Sequence, residues 1–513
     1  MNRSENNETN IVYNKKLFII VLLLIIIIIK HYIISSSHHE QANPTNVPEI
    51  SYFFNQSLQL YAPKKDTCLM TLYFSSEYRN NDVANEYAIF KKILKDKNYF
   101  VTFYSDNPVY EQYSDLFKKY GLIRSSNKHG NNNIAISLNI NFILEYRNLT
   151  HEYYLNKHQK FNIYLNGEYL FQKNTLYNYY KSMKQSFYDD FNYMPETYIY
   201  PEDKKLIEEK FKGYILNMSD LWLVKPTNLC AGIGVKILNS LKNISLNEYI
   251  ITKYIKNVSL INGKKYDLRL YALISCLKPL RIYLYKEGLV RISSEKYSLN
   301  LTLSNNKYVH LTNIDVNKNN KNFITPNKIN NTNANEWNLD MYKAFLKKEN
   351  IEWMILYEKI KDIIIKSIIS VYQELLKGVE ENNFNDQNFY EILGVDILIT
   401  DDVIPVLMEI NYSPQMASHN NLDNPIKTNL LTDTLNLIGI SPYSRKSHKP
   451  LNLNHRFHNE IEDNINNALC ELNRPRGDYE LIFPNKENIY KYKKYFINNN
   501  DENEEFWEKI IHL

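Results

Sequence analysis

The sequence predicts an α+β protein, with mixed or antiparallel sheets and helices packed on them. Three observations carry this. Between Leu221 and Asp433 short apolar segments recur: "LWLVKP", "YIITKYI", "YDLRLYALI", "LRIYLY" and the two runs flanking Thr400-Asp401-Asp402. One long stretch interrupts them, with Trp353, Leu356, Ile360, Ile364, Ile368, Val371 and Leu375 three or four residues apart, so one helical face must pack on a sheet. The composition is that of a folded chain, 44% hydrophobic and 23% charged over 513 residues, which is enough for two or three packed domains.

The elements fall into five segments. Residues 1–50 form a tail, a hydrophobic segment and a polar linker. "LFIIVLLLIIIII" (17–29) is interrupted by Lys30 and His31 before Tyr32-Ile33-Ile34. As a helix, 17–34 spans about 27 Å against a bilayer core of about 30 Å. It is expected to be a membrane anchor; a secretory signal and a buried core helix are the alternatives. Lys15 and Lys16 favour a cytosolic N-terminus, but Lys30 and His31 nearly cancel that asymmetry and leave the orientation open. Residues 51–160 alternate strand and helix patterns ("CLMTLYF", "VANEYAIFKKILKDKNY", "YFVTFYS"), as a small α/β domain does. Residues 161–250 and 251–433 hold the strand-rich body in two subdomains, and 434–513 form a C-terminal extension. Asn-rich insertions at 317–335 and 381–388 read as disordered surface loops. The 61 basic and 57 acidic residues give a net charge of +4, so nothing points to nucleic acid and any basic site must be local. The four cysteines, Cys68, Cys230, Cys276 and Cys470, lie far apart, without zinc spacing, and lean towards a reducing compartment.

Chemistry concentrates in four stretches. In "YEILGVDILITDDVIPVLMEINYSP" (390–414), Glu409 and Asn411 share a strand face. With Asp401-Asp402 as a two-residue turn, Asp396 pairs with Leu407 and joins them on that face, with Asp396 and Glu409 on a diagonal of about 7–8 Å. Val395, Ile397, Ile399, Val406, Met408 and Ile410 then form an apolar core face. Two carboxylates this close repel unless a cation lies between them, and an all-oxygen donor set suits magnesium. The competing reading is a pair of solvated side chains on an edge strand. "LWLVKPTNLCAGIGVKIL" (221–238) brings Lys225 to a loop with Gly232 and Gly234. It suits a bound anion, or is simply a hairpin with glycines at its turn. In "INGKKYDLRLYALI", Lys265, Asp267 and Arg269 share one face, and Tyr266, Leu268 and Leu270 the other. Arg291 adds a second guanidinium for phosphate or carboxylate. "VHLTNIDV" adds Thr312 and Asn313, with His310 open to a structural role as much as a functional one.

These stretches, in this order over roughly 161–484, resemble the tubulin tyrosine ligase-like family within the ATP-grasp ligases. The resemblance implies an ATP-grasp fold and an enzyme that phosphorylates a carboxylate with ATP before an amine attacks it. It implies that Asp396, Glu409 and Asn411 hold magnesium. Lys225, Lys173, Gly232, Gly234, Lys265 and Asp267 would bind nucleotide, with Lys253, Tyr254 and Ile255 at an adenine-contacting hinge. Arg269, Arg291, Lys265, Asp267, Thr312 and Asn313 would surround the transferred phosphate. Two positions depart from the family pattern. Ala231 stands where the glycine loop usually carries arginine, and Thr252 where the hinge usually begins with Gln.

The implied partners are acidic tubulin tails and a free amino acid, with glutamate expected first because "RGDYELIFP" resembles the C-terminal block of glutamylases. Tyrosination, glycylation, a non-tubulin acceptor and a non-catalytic, membrane-tethered microtubule-binding module are the alternatives. The chain is expected to be a monomer, anchored to a membrane through 17–34 with its catalytic domain cytosolic, or associated with the cytoskeleton.

Overall fold

The computed structural model describes residues 159–512 apart from 215–219, 228–231, 239, 242–243, 245–246, 301–305, 327–330, 383–384, 413, 417–419, 441–442, 445–459 and 498–500, together with short strands between 99 and 136. The anchor at 17–34, most of the 51–160 domain, Cys230 and Ala231 lie outside the described residues.

The N-terminal strands are β1 (Tyr99–Phe100), β2 (Thr102–Ser105), β3 (Ile123–Arg124) and β4 (Ile134–Ile136). With β5 (Lys160–Phe161) the last three form a parallel sheet in the order β3-β2-β4-β5. The chain then forms α1 (Glu168–Phe171), α2 (Lys173–Ser186), β6 (Thr197–Tyr200), α3 (Lys204–Lys210), β7 (Trp222–Pro226), β8 (Lys236–Ile237) and β9 (Tyr249–Lys253). These strands make a four-stranded antiparallel sheet, β6-β9-β7-β8, over a small core of Ile207, Phe211, Trp222, Val224 and Ile251. β9 runs through residue 250, so the expected division at 250/251 cuts a strand, and the smaller sheet extends to Lys253.

The larger sheet is built from β10 (Leu260–Ile261), β11 (Lys264–Leu277) and β12 (Leu280–Ile292). After α4 (Lys307–His310) and α5 (Ile314–Asn317) come β13 (Glu336–Asn338), α6 (Leu339–Lys348), α7 (Trp353–Glu380), β14 (Glu391–Ile399) and β15 (Pro405–Tyr412). The order is β13-β12-β11-β14-β15, antiparallel throughout, with β10 beside β11. Beyond it lie α8 (Asp423–Ile438), β16 (Tyr443–Ser444, paired with β1), α9 (Glu460–Leu472), β17 (Tyr479–Phe483), α10 (Ile489–Lys493) and α11 (Asp501–His512).

Helix α7 has 28 residues, about 42 Å at 1.5 Å per residue. The expected stripe is its buried face: Ile360, Ile364, Ile368, Val371 and Leu375 are all 0% exposed. Residues 434–513 prove more than an extension. β17 pairs with β12 inside the main sheet, and Phe483 packs edge-on or stacked against Tyr492, Phe496 and Trp507. The mixed α+β architecture with antiparallel sheets is therefore as expected; the N-terminal domain and the anchor helix remain expectations. Among the described residues no helix is long and apolar enough to cross a membrane. Cys276 is free and buried, whereas Cys470 is disulfide-bonded, which removes the cysteine argument for a reducing compartment.

Candidate active site

The β14–β15 hairpin differs from its predicted register. The loop is five residues, Thr400–Ile404, with the Val403 amide donating to the Thr400 carbonyl. A bulge at Met408 then offsets the strands, so that Ile397 faces Leu407 while Asp396 faces Glu409 directly and Gly394 faces Asn411. Asp396 thus does not pair with Leu407. Leu407 is 0% exposed and belongs to the core, and Met408 turns half-buried into the cleft. The correction strengthens the site. Directly opposed side chains are closer than diagonal ones, and one amide, Asn411 Nδ2, lies 3.3 Å from Glu409 Oε1 and 3.5 Å from Asp396 Oδ2. Three oxygen-bearing groups enclose one point, which is the arrangement a hard divalent cation needs; rotating the Asn411 amide would turn its oxygen inwards.

β11 behaves as its alternation predicts. Tyr266, Leu268 and Leu270 are 0% exposed on the core side. Asp267 and Arg269 meet Arg291 and Asp396 across the neighbouring strands. Arg291 Nε donates to Asp267 Oδ1 at 2.8 Å and its Nη2 to both Asp267 Oδ2 and Asp396 Oδ2, the latter at 2.8 Å. Arg269 holds Asp396 with two bonds, Nε to Oδ1 at 2.5 Å and Nη2 to Oδ2 at 3.0 Å. Burial opposes ionisation of Asp396, but the Arg269 charge and then that of Arg291 outweigh it and hold the carboxyl well below the usual range. Glu409 is freer, with Lys173 Nζ at 3.9 Å.

The cleft lies between the seven-stranded sheet and the four-stranded antiparallel sheet, lined among others by Phe171, Lys173, Met194, Lys225, Thr252 and Met408. Burial pushes Lys225 down to about 8, with the Lys173 charge adding to the fall and Glu409 opposing it. Burial likewise pushes Lys265 down to about 8, with Lys225 adding and Asp267 opposing. Among the described residues Lys173 and Lys225 line the cleft with Glu409 as its one carboxylate, so its lining carries a positive surplus, while Lys265, Arg269 and Arg291 stand on adjoining strands with Asp267, Asp396 and Glu336. The glycine loop arches over the segment carrying Thr312 and Asn313. Gly232 and Gly234 have φ of 73° and 75°, and a Cβ on Gly232 would lie 3.3 Å from Asn313 Oδ1 and from Leu311 Cδ1. Thr312 is buried, and the Asn313 carbonyl accepts the Val316 and Asn317 amides that open α5.

The hinge is rearranged relative to expectation. Lys253 turns out of the cleft, exposed, with its ammonium 3.9 Å from Glu196. Its backbone N–H donates to the Glu196 carbonyl and that of Tyr254 to the Leu221 carbonyl, so neither amide is available to a base. Ile255 is half-buried beside them. Thr252, in the position that departs from the family pattern, shares a 3.1 Å hydroxyl contact with Thr197 at the cleft wall.

A model of the tubulin-tyrosine ligase family matches residues 148–449, more than half of the chain. The chain belongs to the tubulin-tyrosine ligase family. It is 30% identical to tubulin monoglutamylase TTLL4 of Mus musculus over 287 residues, covering 56% of this chain and 24% of that protein. It is 31% identical to tubulin polyglutamylase ttll-5 of Caenorhabditis elegans over 301 residues, 56% of this chain and 41% of that protein. With tubulin polyglutamylase TTLL5 of Homo sapiens the identity is 31% over 303 residues, 58% and 23% respectively. The match therefore spans about a quarter to two-fifths of the length of these relatives.

Two residues of this family member escaped the sequence reading. Gly394 gives Arg269 room: a Cβ there would lie 2.9 Å from Pro414 Cβ and 3.4 Å from Arg269 Nε, and a glycine inside an apolar strand was a usable signal. Glu336 stands opposite Arg291 on β13, buried, accepting from Asn420 Nδ2 at 2.6 Å. Burial, then the Asp423 charge, push it up to about 7. Its three-residue strand follows an Asn-rich loop and leaves no pattern to read. His310, whose role the sequence left open, has its Nδ1 2.9 Å from the Tyr254 hydroxyl.

Proposed function

We propose that this chain is an ATP-dependent ligase that joins an amino acid, glutamate first, to the acidic tail of tubulin. The observation that carries this is the opposition, across one cleft, of an all-oxygen group (Asp396, Glu409, Asn411) and a surplus of buried and half-buried cations. The family membership and the glutamylase relatives supply the acceptor and the amino acid.

In this reading the acceptor carboxylate takes the terminal phosphoryl group of ATP, releasing ADP. The amine of the free amino acid then attacks the acyl carbon, an amide bond forms, phosphate leaves and the amine gives up its proton. Magnesium, when bound, neutralises phosphate oxygens, and Glu409, Asn411 and Asp396 are the residues that would hold it. Lys225, Lys265 and Lys173 bind and orient the polyphosphate. Arg269 and Arg291 stand where charge gathers on the transferred group, kept in place by Asp396 and Asp267. The apolar wall of Phe171, Met194 and Met408 keeps water from the acyl phosphate.

The test is transfer of labelled glutamate, glycine or tyrosine to microtubules by the full chain. ATP-dependent labelling with glutamate, lost in Glu409→Gln, is expected. Wild-type protein that transfers none of the three, or a Glu409→Gln variant that labels normally, overturns the reading. We also propose attachment to a membrane through 17–34 with the ligase on the cytosolic face, which protease protection of intact vesicles tests: digestion of the catalytic domain without detergent is expected.

A further inference from the structure

Tyr254 stands where an adenine contact was expected, yet its groups are committed elsewhere. Its backbone N–H is used by Leu221 and its side chain is 4% exposed. Its hydroxyl is the meeting point of three segments that carry separate motifs: the hinge after β9, strand β11 and helix α4. The Lys265 ammonium donates to it at 3.4 Å and sits 4.5 Å from its ring centroid. On the other side lies His310 Nδ1 at 2.9 Å, with the two rings edge to face.

The donor arithmetic fixes one end of this chain of bonds. An ammonium can only donate, so the hydroxyl oxygen accepts from Lys265. Burial pushes the Tyr254 phenol upward, so it keeps its own proton, with His310 Nδ1 and the Tyr297 hydroxyl as its neighbours. Whichever ring tautomer His310 adopts, its 2.9 Å contact fixes the hydroxyl in place beside the ammonium.

We infer that Tyr254 and His310 are positioning residues, which together hold the Lys265 ammonium towards the phosphates of the nucleotide. The inference rests on the ATP-binding reading above. A core tyrosine needs only one partner and some volume; this one spends its hydroxyl on a cation buried beside a second lysine. Lys265 stands on β11 with Asp267 on its own strand and Lys225 across the cleft, and Lys225 repels it. Without a fixed acceptor the Lys265 side chain would turn from Lys225 and give up its proton more readily. Tyr297, whose hydroxyl donates to the Lys256 carbonyl at 2.8 Å, closes the outer side of the group.

The experiment is calorimetric titration of the full chain with magnesium-ATP between pH 6.5 and 9.5, with ATP KM measured in parallel. Tyr254→Phe keeps the ring and removes the hydroxyl. It is expected to weaken ATP binding roughly ten-fold, as loss of a charge-assisted hydrogen bond does, and to move the alkaline loss of binding to lower pH. His310→Leu is expected to do the same, His310→Gln to restore most of the affinity, and Tyr254→Phe with His310→Leu to be no worse than Tyr254→Phe alone. Folding of each variant is checked by its melting temperature, and the His310 pair stands in if Tyr254→Phe does not fold. Variants that bind ATP like the wild type at every pH, or effects that add in the double variant, overturn this inference alone. A wild-type chain that binds no ATP overturns it together with the ligase reading.

Discussion

Strand β12 carries two buried arginines that face carboxylates in opposite ways. Near its start, Arg281 is bound to Glu471 through Nε at 2.8 Å and Nη2 at 3.0 Å, and its Nη1 donates to the Pro279 carbonyl at 2.8 Å. Glu471 Oε1 also accepts from Ser275 at 2.6 Å and Tyr283 at 2.9 Å. Glu471 also feels the Arg474 charge, whose Nη1 donates to the Leu437 carbonyl at 3.1 Å, and hydroxyls take up the remaining capacity of the carboxylate. Near the other end, Arg291 holds Asp267 and shares Asp396 with Arg269, while Glu409 remains half free and Lys173, Lys225 and Lys265 bring further charge. In the first group Arg281 and Glu471 are buried and bonded to one another and to protein groups, so their role is structural. The second has unmatched charge beside a cleft, and a ligand rich in negative oxygens completes it. The difference between them is access to the cleft, since the pairs are alike in chemistry.

The largest effects should separate these two ends. Glu409→Gln is expected to lower turnover on the order of 10²–10³-fold with almost no change in melting temperature, because Glu409 is only partly buried. Glu471→Gln should do the reverse. It strands Arg281 and costs about 3–5 kcal/mol of stability, while the variant that remains folded keeps its ATP KM. Equal losses of stability in both variants would erase the distinction. Gly394→Ala is an intermediate case. The added methyl crowds Pro414 and Arg269 and should cost about 1–3 kcal/mol, with kcat falling further than the stability loss explains because Arg269 is displaced.

The smallest effect is in pH dependence, and it contrasts two buried glutamates. Glu391 is buried, one oxygen accepting the Tyr164 amide at 3.3 Å and the other without a partner; burial pushes it up to about 8. Its folded form holds a proton that the unfolded chain loses near 4.5, so its contribution is full below that value and is lost as pH rises towards 8. For Glu471 burial opposes ionisation, but Arg281 dominates and holds the carboxyl down, so its contribution is present at neutral pH and is lost on acidification. Melting temperature should therefore fall between about pH 5 and 8, and Glu391→Gln should flatten that slope by a few degrees, at roughly 2–4 °C per kcal/mol. An unchanged slope would mean that Glu391 stays ionised in the folded chain.

Local periodicity alone determined much of this protein. Alternation put Asp267 and Arg269 on one side of β11 and the core residues Tyr266, Leu268 and Leu270 on the other. It put Glu409 and Asn411 together, and a spacing of three and four gave α7 its buried face. Those are properties of consecutive residues, and no distant partner is needed to read them. Tertiary structure decided what depends on register and on who lies opposite. The bulge at Met408 brought Asp396 against Glu409, where a two-residue turn would have put Leu407. The hinge spent its amides on Glu196 and Leu221 and turned Tyr254 towards Lys265. β13 set Glu336 beside Arg291, and β17 returned from the C-terminal segment to pair with β12. Each of these joins residues far apart in the chain through hydrogen bonds that any backbone can make, so side-chain identity along the sequence carries no record of them.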